Sequence, residues 1–250
     1  MRLKPQPTAS HFWGHRGLPG LYPENTLPSF HAAADAGATW IETDVDITRD
    51  GTLLICHDDT LDRTTNATGP CWDVTGDDLR KLDAGAWFGG NFVGTPMPVL
   101  DEVVDLCIER GLNLNLELKP TPNGAQAARD LTAGACAELA RLGSEHVIIS
   151  SFNPMLLELC AQIAPTLPRA CLFEPEGLSL GWKTICELAQ ATAIHPSDRL
   201  LTPQLVKQFH QAGLRVHAYT VNTPARANEL IGWGVDAIFT DRVDRFITSN

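Results

Sequence analysis

Eight short apolar runs recur along this chain, with seven longer amphipathic stretches between them, and that alternation restricts the fold more than any single motif. The runs, read as strands, are His11–Gly14, Trp40–Ile47, Leu112–Leu118, Val147–Ser150, Ala170–Phe173, Ala193–His195, Leu214–Thr220 and Ala237–Thr240. The stretches, read as helices, are Thr26–Ala36, Leu100–Arg110, Ala125–Leu142, Pro154–Ile163, Trp182–Ala189, Pro203–Ala212 and Pro224–Trp233. Several open on proline and close on glycine, as helix ends prefer. Strand, helix, strand implies parallel pairing through right-handed crossovers. Eight such strands in 250 residues predict an α/β fold, a closed TIM (β/α)8 barrel. An open doubly wound sheet is the rival, weakened because the first strand leads into no G-x-G-x-x-G turn.

The rhythm breaks once. Asp50-Gly51 reads as a tight turn between two apolar runs, and a stretch of Gly, Thr and Asp with Trp72, Trp87 and Phe88 follows from Asp58 to Pro98. A loop of that length without regular structure is usually a lid or a binding loop. The expectation is one domain over residues 1–250, with a small insertion after the second strand at about 58–98.

Composition excludes several classes of partner. Nineteen basic against thirty acidic residues leave a net charge of -11, with no cluster of Lys and Arg for a polyanion. Nucleic-acid binding and adhesion to anionic membranes are therefore not expected. No run of apolar residues is long enough to span a bilayer, and Met1–Ser10 lacks the apolar core of a signal peptide, so stable membrane insertion is not expected either. Seven cysteines, an odd number without a C-x-x-C pair, read as small buried hydrophobes; reduced thiols favour the cytoplasm.

The polar residues of interest sit at the C-terminal ends of predicted strands, the catalytic face of a barrel. The first strand ends in His15-Arg16-Gly17. Arg16 offers a planar fork for phosphate oxygens and His15 a proton carrier near neutral pH; a solvated turn is the plain alternative. On the second strand Glu42, Asp44 and Asp46 share one face, about 6.6 Å apart in succession. Acids facing inward repel unless a cation sits among them; a solvent-exposed acidic edge strand is the alternative. On the third strand Glu117 and Lys119 share a face. Glu117 completes an all-oxygen set with Glu42 and Asp44, suited to Mg2+ or Ca2+, while Lys119 adds a charge for phosphate; an internal Glu–Lys salt bridge is the alternative. His57-Asp58 closes an apolar run near where His15 should project, and two histidines beside a phosphate provide one acid and one base. Trp87, Phe88, Phe152 and Tyr219 are aromatics for a headgroup subsite or for packing. His195 ends a strand and is a further candidate for the mouth; the remaining histidines read as structural.

Taken together these residues resemble the glycerophosphodiester phosphodiesterase family. The carriers are His15-Arg16-Gly17, Pro23-Glu24-Asn25-Thr26, Glu42-x-Asp44, His57-Asp58, Glu117-Leu118-Lys119, Ser151-Phe152, Tyr219-Thr220-Val221-Asn222 and Gly234-Val235-Asp236-x-x-x-Thr240-Asp241, in order from about residue 11 to about residue 245. The resemblance implies a metal-dependent hydrolase of glycerophosphodiesters, releasing sn-glycerol 3-phosphate and an alcohol. It implies His15 and His57 as the acid/base pair, and Glu42, Asp44 and Glu117 as ligands of a divalent cation, Mg2+ or Ca2+. It places Arg16 and Lys119 on the phosphate, with Phe152 and Tyr219 beside the substrate, and makes Glu24 a supporting residue of the first loop. Tyr219 departs from the Trp that many members carry there and resembles the bacterial cytosolic branch; Asp46 is a less usual residue at its position. The implied partner is a small-molecule diester, and the implied state a monomer or homodimer. Two other activities fit less well. A phospholipase-type enzyme on intact lipid would want an exposed apolar anchor, and a non-catalytic phosphodiester-binding barrel would have no use for both histidines and all three carboxylates.

Overall fold

The computed structural model describes residues 9–119, 122–175, 178 and 181–247. Strand β1 (Phe12–His15) leads through α1 (Leu27–Asp35) to β2 (Trp40–Ile47), and a short β3 (Leu53–Ile55) follows. After α2 (Gly76–Leu79) and α3 (Leu100–Arg110), the chain alternates strictly. The order is β4 (Asn113–Leu118), α4 (Gly124–Leu139), β5 (Val147–Ser151), α5 (Pro154–Ile163), β6 (Arg169–Phe173), α6 (Trp182–Leu188), β7 (Ala193–Pro196), α7 (Pro203–Gln211), β8 (Arg215–Ala218), α8 (Pro224–Trp233) and β9 (Ala237–Thr240). Eight parallel strands close into a barrel in the order β1, β2, β4, β5, β6, β7, β8, β9, with β9 back against β1. The expected TIM barrel is the fold observed.

Local chemistry explains the helix ends. Pro154, Pro203 and Pro224 occupy first turns, where the missing N–H costs nothing, and Thr202 caps α7 by accepting the Leu205 N–H at 3.2 Å. Gly111 and Gly234 end α3 and α8 in the left-handed conformation, at φ 64 and 100°.

Period-two alternation sorts each strand between two cores. Phe12, Ile41, Val45, Leu114, Leu116, Ile149 and Ile238 point outward and pack beneath the helices. Trp13 and Trp40 point inward and stack at 4.5 Å, with the His217 ring 4.5 Å from Trp13 and the Phe239 ring 5.1 Å from it. This aromatic layer fills the barrel below its C-terminal mouth.

The departure from barrel regularity has a structural cause. β1 is only four residues long and pairs with β2 at Ile41 and Glu42. Beyond them β2 projects, and β3 takes the vacated side, pairing antiparallel at Val45, Asp46 and Ile47. The turn at Asp50-Gly51 reverses the chain, with Gly51 at φ 88°. β3 therefore runs back down β2 until the Cys56 N–H reaches the Asp44 carbonyl at 3.1 Å.

The expectation of an irregular loop from Asp58 to Pro98 is corrected. That stretch contains α2 and two short 3-10 turns, Cys71–Asp73 and Gly90–Phe92. It also has a core of its own, in which Leu61, Cys71, Leu79, Ala84 and Met97 pack with Leu54, Cys56 and Val99. Its Gly, Thr and Asp content serves caps and turns, such as the reciprocal Thr75–Asp78 capping box. Among the described residues, no helix is long and apolar enough to cross a membrane.

Because Trp13 fills the barrel floor and is 4% exposed, Trp13→Ala should cost roughly 3–5 kcal/mol of folding stability. Denaturant unfolding measures it; a loss under about 1 kcal/mol would show that the layer relaxes without its central ring.

Candidate active site

The residues expected to do chemistry meet at the C-terminal mouth, around a cavity of about 190 Å³. His15 ends β1, Glu42 and Asp44 lie on β2, and Glu117 lies on β4. Lys119 sits one residue beyond β4, Phe152 one beyond β5, and Tyr219 one beyond β8. His57 arrives on the returning hairpin, two residues past β3. His15, Arg16, Glu42, His57, Glu117, Phe152 and Tyr219 all face the cavity.

Three carboxylates converge. Glu42, Asp44 and Glu117 each present an oxygen within 4.8 Å of the others, and all three are buried. The register accounts for this, since β2 and β4 pair with Asp44 directly opposite Glu117. Two cations offset the charge. Lys119 donates to Glu117 Oε1 at 2.9 Å and its ammonium lies 3.7 Å from Asp44 Oδ1; the Arg16 Nε lies 3.3 Å from Asp44 Oδ2. The internal Glu117–Lys119 pair and the convergence of the carboxylates are thus both present. Asp46, although on the same strand face, stands outside this group and accepts the Ile47 N–H at 2.8 Å.

Burial acts on the three acids unequally. It pushes the Asp44 carboxyl up, but Arg16, Lys119 and the Asn25 amide together hold it down at about 2. Glu42 is driven well above the usual carboxylate range by burial and then by the charge of Asp44. Glu117 is raised to about 7 by burial and by Asp44, against the opposing pull of Lys119. The site therefore has more acid than its own cations satisfy. Among the described residues, two buried oxygens here, Asp44 Oδ1 and Asn115 Oδ1, have no hydrogen-bond donor. An all-oxygen set with unsatisfied acceptors fits a hard divalent cation.

Each cavity histidine is held by a carboxylate on Nδ1. His15 Nδ1 donates to Asp241 Oδ1 at 2.7 Å, and Asn222 donates to the other oxygen of Asp241 at 2.7 Å. His57 Nδ1 donates to Asp58 Oδ1 at 2.7 Å. Such a partner fixes the tautomer and leaves Nε2 available to a ligand. Burial, with Arg16 and Lys119 nearby, depresses the His57 pKa.

The first loop is fastened to this machinery. Arg16 adopts φ 52°, its N–H donates to Glu42 Oε2 at 3.0 Å, and its guanidinium meets Glu24 at 2.8 Å. Asn25, also at positive φ, donates to Asp44 Oδ2 at 2.9 Å and accepts from Thr43 at 2.8 Å. Arg63 of the insertion joins the two halves, donating twice to Glu24, at 2.8 Å each, and to Asp58 at 2.6 and 2.9 Å. Asp58, Arg63, Asn115, Asn222 and Asp241 were not singled out as site residues by sequence reasoning. Their signal was present in part: Asp58, Asn222 and Asp241 lie inside the recognised motifs, and Asn115 shares the inward face of Glu117.

The structure decides between alternatives at two places that the sequence left open. Trp87 and Phe88 do not line the cavity; they pack edge to face at 5.5 Å, with Phe88 against Phe92 at 5.4 Å, inside the insertion. His195 is not at the mouth but fully buried in the aromatic layer, where its Nε2 lies 2.9 Å from His217 Nδ1. A strand-end position told its depth poorly, because β7 continues through Pro196.

A raised acid links stability to pH. Glu117 binds its proton more tightly folded than unfolded, so its contribution is full below about 4.3 and is lost as pH rises through its folded pKa of about 7. With chelator present, stability should fall between pH 5 and 8, and Glu117→Gln should flatten part of that slope. Denaturant midpoints across the range check it; identical slopes would mean the Glu117 proton is held no more tightly in the fold than out of it.

The model of the glycerophosphoryl diester phosphodiesterase family matches residues 15–245. A glycerophosphodiester phosphodiesterase of Bacillus subtilis is 33% identical over 246 residues, covering 93% of this chain and 83% of that protein. One from Caldanaerobacter subterraneus is 35% identical over 233 residues, covering 93% and 94%. Among solved structures, an Oleispira antarctica phosphodiesterase in complex with the product sn-glycerol-3-phosphate superposes with a TM-score of 0.86 at 31% identity, covering 94% of each chain. With fold, motif order and whole-length similarity in agreement, this chain belongs to the glycerophosphoryl diester phosphodiesterase family.

Proposed function

We propose that the protein hydrolyses glycerophosphodiesters to sn-glycerol 3-phosphate and an alcohol, by acid/base catalysis between His15 and His57 beside a divalent cation. The observation that carries this reading is one cavity lined by two carboxylate-held imidazoles, Arg16, Glu42 and Glu117, with Asp44 and Lys119 joined to those acids just outside its lining. Glu42, Asp44 and Glu117 would hold Mg2+ or Ca2+. The chemistry such an ion supplies is neutralisation of phosphoryl charge and a lowered pKa for an oxygen nucleophile.

The chain's own groups do the rest. Arg16 and Lys119 bind the non-bridging phosphate oxygens and stabilise the charge that grows on them in the transition state. The Nε2 of one imidazole takes a proton from the attacking oxygen, and the Nε2 of the other gives one to the departing alcohol. Asp241 and Asp58 keep both rings in the tautomer this exchange needs. Burial depresses the His57 pKa, which favours the neutral ring that can accept a proton. Glu24 positions Arg16, and Arg63 ties that pair to the Asp58 that orients His57. The site of action we assign is the cytoplasm, supported by seven buried free thiols.

His15→Ala and His57→Ala should each lower kcat by about 10²–10⁴-fold while leaving the far-ultraviolet circular dichroism intact. Near-normal kcat in either folded variant removes that histidine from the mechanism. Chelation should abolish turnover, and added Mg2+ or Ca2+ should restore it.

Metal affinity should also depend on pH. Glu42 and Glu117 are protonated more readily than ordinary carboxylates and must lose those protons to become ligands. Affinity measured by calorimetric titration should therefore rise from pH 6 to 8, and Glu117→Gln should weaken it throughout. Affinity that is flat with pH and indifferent to Glu117→Gln would refute the ligand assignment.

A further inference from the structure

The cavity has two chemically different halves. The staves β1, β2 and β4 bring His15, Arg16, the acid cluster and Lys119. On the other side, β5, β6 and β8 bring Phe152, Leu172 and Tyr219. Phe152 and Tyr219 meet edge to face at 6.1 Å. The Tyr219 hydroxyl donates to the Phe173 carbonyl at 2.9 Å, so the phenol is anchored as a wall.

One carboxylate stands in that apolar half. Glu174 is the first residue beyond β6, next to the carbonyl that holds Tyr219, and it is exposed while lining the same cavity. Among the described residues it makes no ion pair, whereas Glu117 is paired with Lys119 and Glu42 accepts the Arg16 N–H. The fifth stave of an eight-stave barrel lies opposite the first, so Glu174 faces the mouth from the side away from His15. An unpaired carboxylate framed by aromatic rings attracts a cation that also has apolar surface, through charge and through the ring quadrupoles. The neighbouring half, with Arg16 and Lys119, is built for an anion.

We propose that Glu174 is a specificity-determining residue that selects diesters with an ammonium-bearing headgroup. Glu174 with Phe152 and Tyr219 forms the subsite for the alcohol's cationic end. The substrate class is then a zwitterion, with the phosphodiester anion on the β1–β4 side and the ammonium on the β5–β8 side. Neutral or acidic alcohols gain nothing from this subsite, and acidic ones are repelled. The inference rests on the hydrolase reading above and adds to it the choice of headgroup.

The test compares kcat/KM for glycerophosphocholine and glycerophosphoglycerol, which differ in headgroup charge, at low ionic strength. The wild-type protein should favour the choline diester by about three- to tenfold, the scale of one exposed charge plus a cation–π contact. In Glu174→Gln the ratio should fall toward one, and in Glu174→Lys it should invert. The readout is a ratio, so a general loss of activity does not move it. If both diesters are hydrolysed and Glu174→Gln keeps the wild-type ratio, the headgroup inference is overturned and the hydrolase reading stands. If the wild-type protein, supplied with Mg2+ or Ca2+, hydrolyses neither, the hydrolase reading falls and takes this inference with it.

Discussion

Three acids held side by side inside a barrel mouth set the terms for everything around them. Taking a carboxylate out of water costs several kcal/mol unless charge and hydrogen bonds compensate. Here compensation comes from Arg16, Lys119 and Asn25, and it falls mostly on Asp44. Glu42 and Glu117 are left as reluctant anions. A site that is incompletely neutralised by its own residues is one that gains by taking up an external cation. An ion held there would leave Arg16 and Lys119 freer to meet a phosphate. Stability without ligand and affinity for ligand are two sides of one electrostatic imbalance.

Placing the second imidazole required a topological device. In a regular barrel each strand end is followed by an outward turn to a helix, and no segment comes back over the rim. The short β1 leaves the upper half of β2 without a partner on one side, and β3 fills that place by running antiparallel. Its direction carries His57 down to the level of Asp44, across from His15. The insertion that follows is held by its own apolar core and by Arg63, whose guanidinium bonds Glu24 and Asp58 together. The insertion thus braces the site through Arg63, while Trp87 and Phe88 pack on one another and on Phe92.

Period two made much of this legible. Once the strands are placed, residues 42, 44, 115, 117, 150, 152, 172, 217 and 219 fall on inward faces, and most of them line the cavity or the layer below it. The strands Trp40–Ile47 and Ala237–Thr240 and the helices Leu100–Arg110, Pro154–Ile163 and Pro224–Trp233 have the bounds that periodicity and caps predict. What periodicity does not encode is depth and partnership. It cannot tell that His195 lies a layer below the mouth, nor that Asp241, 226 residues away, closes on His15. That pairing exists only because β9 returns to β1 and closes the barrel. The insertion misled for a related reason: short helices and a small core leave no long periodic signal, only the turn residues that cap them.

Glu174 shows how a position without a motif becomes informative once the fold is known. In the linear sequence it is one acid among thirty Asp and Glu, next to a proline. On the barrel it is two residues beyond the inward-facing Leu172, so it continues that face out to the rim. The acid cluster and its two cations sit on the staves β1, β2 and β4, because β2 and β4 are the adjacent pair that brings Asp44 and Glu117 into register. The opposite staves carry aromatic walls and, among the described residues, a carboxylate that makes no ion pair, Glu174. The closure that brings Asp241 to His15 also sets Glu174 across the mouth, so the proposed acid/base pair and the proposed headgroup subsite both depend on a single topology.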